Sequence, residues 1–292
     1  MTSTRTNPAR LVLAVAVYVV LYVLSQIVLI WLLGITGQLA GPILTVFLGA
    51  LLANGLVLRI YEDRSLPDIG LWWNRAAADN LAFGLLGGIA SACLVLGPPL
   101  ATGAARMTAL PAQPSAGTLP FVVVLLAIGA AGEELLFRGY GFQILLARFG
   151  PYATILPVGV IFALMHSANP NATRFGLANT AGFGILFGYA FLRTRDLWLP
   201  IGIHFGWNLT LPLFGVNLSG LRMRVTGHEM VWTAGGLWSG GQYGPEASVL
   251  TSGVLILLFL YIWKAPLRRQ ASPLTDPSAE QGICESPPSL RP

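Results

Sequence analysis

Two adjacent carboxylates and an arginine, Glu133, Glu134 and Arg138, stand at the end of the apolar run 119–131. A charge near the centre of a bilayer costs at least about 2.5 to 3.5 kcal/mol on insertion scales, so such groups usually face a protein interior or a watery cavity and serve a function. At 3.6 residues per turn, Glu134 and Arg138 share one helical face, while Glu133 points about 100° away. We therefore expect Glu134 to pair with Arg138 and take Glu133 as the candidate base.

Two other apolar segments each carry a histidine one helical turn from a polar or aromatic partner. His204 and Asn208 are four residues apart, as are Phe162 and His166, so each pair shares a face. Carboxylate, imidazole and amide groups are what water activation and oxyanion stabilisation require. The candidate catalytic residues are therefore Glu133, His166, His204 and Asn208. A lone histidine in a span, however, more often makes an interhelical hydrogen bond than acts as a ligand.

The composition is that of an integral membrane protein. Of the 292 residues, 54% are hydrophobic and only 10% are charged, against about 25% charged residues in a soluble domain. The formal net charge is +5, but the Lys and Arg residues lie in short clusters between apolar runs, which orientation in a bilayer explains better than phosphate binding. We expect the lipid bilayer as surroundings and no nucleic-acid partner.

The apolar runs predict an all-α polytopic membrane protein of about eight transmembrane helices with an intramembrane active site. Gly84 and Gly88 are four residues apart and would let another helix approach closely. Gly202 and Gly206, also four apart, would let either a neighbouring helix or a substrate peptide approach His204. Gly139 is a candidate break in the fourth element. The predicted spans are 11–33, 41–58, 81–100, 118–148, 151–166, 175–192, 197–215 and 247–263.

These spans define one membrane domain, 11–264, with a catalytic core of about 118–215. It lies between a cytoplasmic segment, 1–10, and a Pro- and Ser-rich tail, 265–292, that we predict to be disordered. Twelve of the 17 Lys and Arg residues then fall on the cytoplasmic side and four on the other, as the positive-inside rule demands. We predict a multi-pass cell-membrane protein with both termini cytoplasmic, and the short basic connections favour a bacterial inner membrane.

Three connections are predicted to contain no helix. Residues 59–80 are predicted to be a polar loop outside the bilayer, and 101–117 a connector. Residues 216–246 form a Gly- and Trp-rich loop that could lie in the membrane interface through Trp232 and Trp238. We interpret His228 as an ordinary residue of that loop.

The order of the polar motifs resembles the family of CAAX-processing and bacteriocin-processing intramembrane proteases, also called the Abi family. Each motif stands in its own hydrophobic segment, and together they cover about 119–213, a third of the chain. In the family pattern Glu134 and Arg138 hold the site in shape, and Phe162 accompanies the first histidine. The motifs are Glu133-Glu134-x-x-x-Arg138, Phe162-x-x-x-His166 and His204-x-x-x-Asn208.

The resemblance implies an eight-helix membrane fold and a peptide-hydrolysing site. Glu133 would work with His166 to activate a water that attacks a peptide carbonyl. His204 and Asn208 would stabilise the oxyanion. The implied substrate is a membrane-associated or lipidated peptide or protein, and the resemblance does not say whether it is prenylated.

We expect no cofactor. One carboxylate and two imidazoles, those of Glu133, His166 and His204, could bind zinc, so a metal-dependent endopeptidase stays an alternative. His204 and Asn208 on one helical face make a hydrogen-bonding pair without a metal, which favours a metal-free glutamate mechanism.

Two other functions remain open. A non-catalytic scaffold or a bacteriocin-immunity protein would use the buried ion pair only to hold helices together. A proton-coupled transporter is conceivable because intramembrane Glu and His residues also build proton relays. The absence of a fixed-period internal repeat counts against duplicated transporter halves.

Counting residues from the loop ends places the three reactive groups at different depths. Glu133 falls near mid-membrane, His166 toward the outer end of its span and His204 toward the inner end of another. One compact site then requires kinked spans or shifted span boundaries. The candidate kinks are Gly139, Pro157 and Pro200.

Overall fold

The computed structural model describes residues 7–275. Within that range the chain is mainly helical, with one antiparallel two-stranded sheet. In chain order the elements are α1 (Pro8–Leu33), α2 (Gly37–Val57), α3 (Arg75–Thr102), β1 (Ala105–Ala109), α4 (Thr118–Arg138), α5 (Tyr140–Met165), α6 (Arg174–Thr194), α7 (Trp198–Leu213), β2 (His228–Trp232), α8 (Gly236–Ser239) and α9 (Val249–Lys264).

Several helical segments are long and apolar enough to cross a membrane: Pro8–Glu62, Arg75–Thr102, Thr118–Met165 and Arg174–Thr194, with Val249–Lys264 as a shorter apolar helix. The first and third contain 55 and 48 residues, where one crossing needs about 20. The first is divided by a 3-10 turn at Gly34–Thr36. These helices agree with a polytopic, mainly helical membrane protein.

Polar side chains just before the apolar runs determine where four of the helices begin. Each accepts a hydrogen bond from a backbone N–H of the first turn, which would otherwise be unsatisfied. The capping residues are Asn7 for α1, Asn74 for α3, Thr173 for α6 and Ser248 for α9.

The predicted fourth element, 118–148, is divided in two. Gly139 has φ −70° and ψ −147°, outside the helical region, and α4 ends before it. Asn54 of α2 holds this break, because its Oδ1 accepts from Tyr140 N at 2.7 Å and its Nδ2 donates to Leu135 O at 3.0 Å. A second break at Gly150, with φ 79°, lets the later half of α5 begin at Pro151. The candidate break at Gly139 is therefore confirmed, and residues 140–149 form the first half of α5 instead of the end of the fourth element.

Two short strands are a minor addition to the mainly helical membrane fold that the sequence predicts. β1 lies in the predicted connector and β2 in the predicted loop 216–246, with Ala105 opposite Trp232 and Ala109 opposite His228. β1 has one buried residue followed by four exposed ones. It therefore lacks the alternation that marks a half-buried strand in sequence.

Glycines bring α3 and α7 into direct backbone contact. A Cβ at Gly84 or Gly202 would lie 3.0 Å from the Cα of the other glycine, and one at Gly206 would lie 2.7 Å from Leu85 O. Such contacts are shorter than van der Waals packing allows, so only glycine fits this crossing. The predicted close approach of another helix at Gly84 and Gly88 is confirmed, and at Gly202 and Gly206 the neighbouring backbone is that of α3.

We expect Gly88→Ala to lower the free energy of unfolding by about 1 to 3 kcal/mol, the usual cost of overpacking. The new methyl group would meet Ile203 O and would lie 2.8 Å from Trp207 N, so α7 must shift. Gly97→Ala in the same helix, with no atom within 4 Å of its added Cβ, is the matched control and should be neutral or slightly stabilising. Equal thermal stability of the two variants in detergent would contradict the crossing.

Residues 265–275 pack against the membrane domain. Ser272 and Leu274 are fully buried, and Arg268 N donates to Asn80 Oδ1 at 3.0 Å. The disorder predicted from residue 265 was therefore incorrect for this part of the tail, while 276–292 lie outside the described residues.

Asp196, between α6 and α7, accepts hydrogen bonds from several segments at this end of the fold. Its Oδ1 accepts from Trp198 N at 3.1 Å and Leu199 N at 3.2 Å, which caps α7. Its Oδ2 accepts from Asn80 Nδ2 and Gln270 Nε2, both at 2.6 Å. Burial raises the pKa of Asp196, and these donors partly offset that rise. One carboxylate thus joins α3, α7 and the segment 265–275.

We expect Asp196→Asn to lower the free energy of unfolding by about 1 to 3 kcal/mol, the cost of unsatisfied buried polar groups. Asn80 and Gln270 donate to one carboxylate oxygen and backbone N–H groups to the other, so an amide meets donors in either orientation. Asp79→Asn, which removes a half-exposed ion pair with Arg268, is the control and should cost about 0 to 1 kcal/mol. Thermal unfolding in detergent compares them, and an equal loss in both variants would contradict the role of Asp196.

Candidate functional site

Glu133, on the last turns of α4, lies between the two intramembrane histidines. Its Oε2 is 3.8 Å from Nε2 of His166, at the end of α5, and 3.8 Å from Nε2 of His204 on α7. Within residues 7–275 this oxygen has no hydrogen-bond partner although it is buried. The three groups therefore converge on one small volume, with an unpaired carboxylate oxygen between two imidazoles.

Glu134 and Arg138 form the buried pair that their spacing predicts. Arg138 Nη1 lies 3.2 Å from Glu134 Oε2, and neither side chain is exposed to solvent. Arg138 Nη2 also donates to Gly184 O on α6 at 2.7 Å. The arginine thus connects α4 and α6 directly behind the site.

A contact that the spacing did not predict joins this pair to α7. His204 Nδ1 lies 2.9 Å from Glu134 Oε1. Because a carboxylate only accepts, Nδ1 carries the proton and Nε2 faces Glu133. Glu134 therefore orients the imidazole ring of His204 in addition to pairing with Arg138. The sequence gives no signal of the first role, because Glu134 and His204 lie in different helices.

Phe162 contacts both imidazoles and the guanidinium. Its ring centroid is 4.7 Å from that of His166 and 6.1 Å from that of His204, and Arg138 Cζ lies 5.0 Å from it. Its carbonyl oxygen is 2.8 Å from His166 Nδ1, so that nitrogen donates and Nε2 is left facing Glu133. The phenylalanine positions the histidine one turn away.

The structure brings the three groups together although residue counting placed them at different depths. The later half of α5, 151–165, is about 22 Å long at 1.5 Å per residue, short of the roughly 30 Å of hydrocarbon. His166 at its end therefore does not need to lie at the outer boundary. The Nε2 atoms of His166 and His204 each lie 3.8 Å from Glu133 Oε2, so the three groups form one compact site.

A cavity of about 410 Å³ opens onto these groups. Asn208 lines its wall with Glu133 and the two histidines, so all four predicted catalytic residues face one space. Most of the remaining lining is apolar and aromatic. Ser219 and Glu246, from the connection between α7 and α9, also line it. The sequence did not single these two out, because they lie 27 residues apart in a segment without a recognisable pattern.

No group of three His, Cys, Asp or Glu side chains between residues 7 and 275 is arranged as a metal site. Glu133, His166 and His204 come nearest in chemistry. Their 3.8 Å oxygen–nitrogen separations exceed the roughly 3.4 Å between ligands of a tetrahedral zinc ion at about 2.0 to 2.1 Å.

A mainly helical fold with several membrane-length apolar helices, and with a carboxylate and two imidazoles beside an apolar cavity, defines a multi-pass membrane protein with a polar site among its helices. Residues 115–210 match the profile of the Rce1-like family, described as type II CAAX prenyl endopeptidase Rce1-like. This confirms the resemblance to CAAX-processing proteases for the segment that carries all three motifs. A comparison with curated proteins found no match. The family resemblance implies peptidase activity in general terms.

Proposed function

We propose that this chain is an intramembrane endopeptidase of the CAAX/Abi type. The observation that carries the proposal is the unpaired Glu133 Oε2, 3.8 Å from two imidazole nitrogens, in a largely apolar cavity. A carboxylate in such surroundings is suited to act as a general base.

In the proposed mechanism Glu133 and His166 activate a water. Glu133 accepts one proton from the water, whose oxygen attacks the scissile carbonyl carbon. His166 Nδ1 is engaged by Phe162 O, so its Nε2 accepts a hydrogen bond from the water and helps to orient it. When the tetrahedral intermediate collapses, the carbon–nitrogen bond breaks and Glu133 returns its proton to the leaving amine.

The oxyanion is proposed to be stabilised from α7. The Asn208 amide and the Nε2 of a protonated His204 are the available donors, and both residues line the cavity. Glu134, bonded to His204 Nδ1 at 2.9 Å, stabilises the imidazolium, and Arg138 holds Glu134 in place through the ion pair. Donors fixed before the reaction need no reorganisation as charge develops.

The apolar lining favours a membrane-associated or lipidated peptide or protein as substrate. The proposal includes eight membrane crossings, by α1 to α7 and α9, with both termini in the cytoplasm of a bacterial cell. The support is the length of the apolar helices and the asymmetric Lys and Arg distribution.

Purified protein in proteoliposomes, incubated with lipidated and unlipidated membrane peptides and followed by mass spectrometry, tests the proposal. Wild type should generate new peptide termini, and His166→Ala should reduce the rate by at least about 10²-fold. His228→Ala, an exposed histidine on β2, is the matched control and should cleave at the wild-type rate. Cleavage that persists in His166→Ala, or a wild type that cleaves nothing, would overturn the assignment.

We also propose that the mechanism is metal-free, since Glu133, His166, His204 and Asn208 together supply a base and oxyanion donors. Protein purified without chelator is expected to contain no stoichiometric zinc, and chelator should not change its cleavage rate. Elemental analysis and the peptide assay measure the two outcomes. One zinc per chain, with activity lost on chelation and restored by zinc, would contradict this mechanism.

A further inference from the structure

A second carboxylate faces the catalytic cavity from the connection between α7 and α9. Glu246 is 7% exposed and lines the cavity together with Ser219, Trp207, Thr180 and Asn169. We call these five residues the distal pocket. None of them belongs to the three motifs, and Ser219 and Glu246 lie beyond the segment 115–210 that resembles the peptidase family.

The Glu246 carboxylate is held in a fixed orientation. Ser219 donates its backbone N–H to Oε2, and its hydroxyl lies 3.1 Å from Oε1 and 3.0 Å from Oε2. The Glu246 backbone is fixed too, because Asn179 Nδ2 on α6 donates to its carbonyl oxygen at 2.8 Å. A carboxylate positioned this rigidly can bind a ligand without a large ordering cost.

The distal pocket lacks a compensating cation. Among residues 7–275, no Lys or Arg lies within ion-pair distance of Glu246, and none lines the cavity. A buried carboxylate without a counter-charge is unfavourable. Burial accordingly raises the pKa of Glu246, while the Ser219 hydrogen bonds and the nearby His166 lower it.

An unused donor accompanies this carboxylate. The Trp207 side chain is 2% exposed, and its Nε1–H has no hydrogen-bond partner within the described residues. The indole N–H is close enough to the Glu246 carboxylate to lower its pKa but does not reach hydrogen-bond geometry. A buried donor without a partner, next to a buried carboxylate without a counter-charge, is the kind of site that a ligand completes.

We propose that Glu246 forms a cation-binding subsite for a Lys or Arg side chain of the peptide substrate, an inference that rests on the proposed peptidase function. A basic side chain entering the pocket would neutralise Glu246 where the dielectric constant is low and the attraction strong. The long alkyl stem of Lys or Arg suits the apolar wall of the cavity.

The charge of the cavity lining predicts which substrate side chains the subsite selects. Its lining carries two carboxylates, those of Glu133 and Glu246, and no Lys or Arg. A substrate carboxylate in the distal pocket would face the Glu246 carboxylate with no Lys or Arg in the cavity lining, and would be repelled. The subsite therefore selects peptides with a basic residue and disfavours those with an acidic residue at the same position.

Matched membrane peptides that differ by a single Lys or norleucine, moved through three positions on each side of the cleavage site, test the subsite. In wild type, Lys at one position should raise kcat/KM about 10-fold or more over norleucine. Glu246→Gln should abolish that ratio. Glu229→Gln, which alters a carboxylate paired with Arg222 outside the cavity, is the control and should keep it.

Binding of the same peptides to Glu133→Gln, measured by fluorescence anisotropy, separates the subsite from the peptidase reaction. Lys-selective binding that the added Glu246→Gln change removes supports the subsite, whether or not wild-type protein cleaves the peptides. If wild-type protein cleaves none of them, the peptidase proposal alone is overturned. Cleavage with equal use of Lys and norleucine peptides at every position would overturn the subsite alone. If Glu246→Gln does not fold, the wild-type ratios decide, and the absence of any preference for Lys overturns the proposal.

Discussion

Glu133→Gln should lower kcat/KM for peptide cleavage by about 10³-fold or more, within the range that a general base contributes. The amide keeps the size of the side chain but cannot accept a proton from water. Because the lost interaction belongs to the transition state, kcat should fall while KM changes little. Initial-rate measurements on purified protein over a range of peptide concentrations give both constants.

Glu62→Gln is the matched control for this variant. Glu62 accepts a hydrogen bond from Tyr140 Oη at 2.9 Å and does not line the cavity, so an amide oxygen can replace it. The control should retain wild-type kcat. A Glu133→Gln variant that retains more than a tenth of wild-type kcat would contradict the assignment of Glu133 as the base.

Arg138→Met is expected to lower the free energy of unfolding by about 3 to 5 kcal/mol, the usual cost of breaking a buried ion pair on one side. Methionine fills the space of the alkyl stem but leaves the fully buried Glu134 carboxylate without its cation. It also removes the hydrogen bond to Gly184 O and the contact with the Phe162 ring. Thermal unfolding in detergent, or denaturation with a calibrated reference, measures the loss.

Two further variants isolate the contribution of the ion pair. Arg148→Met changes an exposed arginine in α5 and should cost less than about 0.5 kcal/mol. The double variant Glu134→Gln with Arg138→Met removes both charges and should be more stable than Arg138→Met alone, because no buried carboxylate remains unpaired. A double variant that is less stable by the sum of the two single losses would show that the charges do not interact.

The ion pair could be predicted because it lies within one helix. The spacing of Glu134 and Arg138 predicts a shared face, and the structure places their charged atoms 3.2 Å apart. A close helix crossing at these glycines could be predicted as well, because glycines four residues apart indicate a close approach whichever helix is the partner. Both predictions depend only on helical periodicity and side-chain size.

Contacts between distant segments could not be predicted in the same way. His204 bonds to Glu134 across 70 residues, and β1 pairs with β2 across more than 100 residues, so neither follows from a local pattern. Glu246 was overlooked for a related reason, because its hydrogen-bonding partner Ser219 stands at the other end of an irregular loop. The helix break at Gly139 was foreseen as a candidate, but the Asn54 side chain that holds it belongs to another helix.

Hydrolysis of a membrane peptide in water enriched in ¹⁸O tests the central claim most directly. Wild-type protein should release a product whose new C-terminal carboxylate carries one ¹⁸O atom, since the attacking oxygen comes from solvent. Glu133→Gln, tested under the same conditions, should yield labelled product at less than about a thousandth of that rate. An intact peptide with wild-type protein, or labelled product formed equally fast by Glu133→Gln, would contradict the claim that Glu133 activates water for peptide hydrolysis.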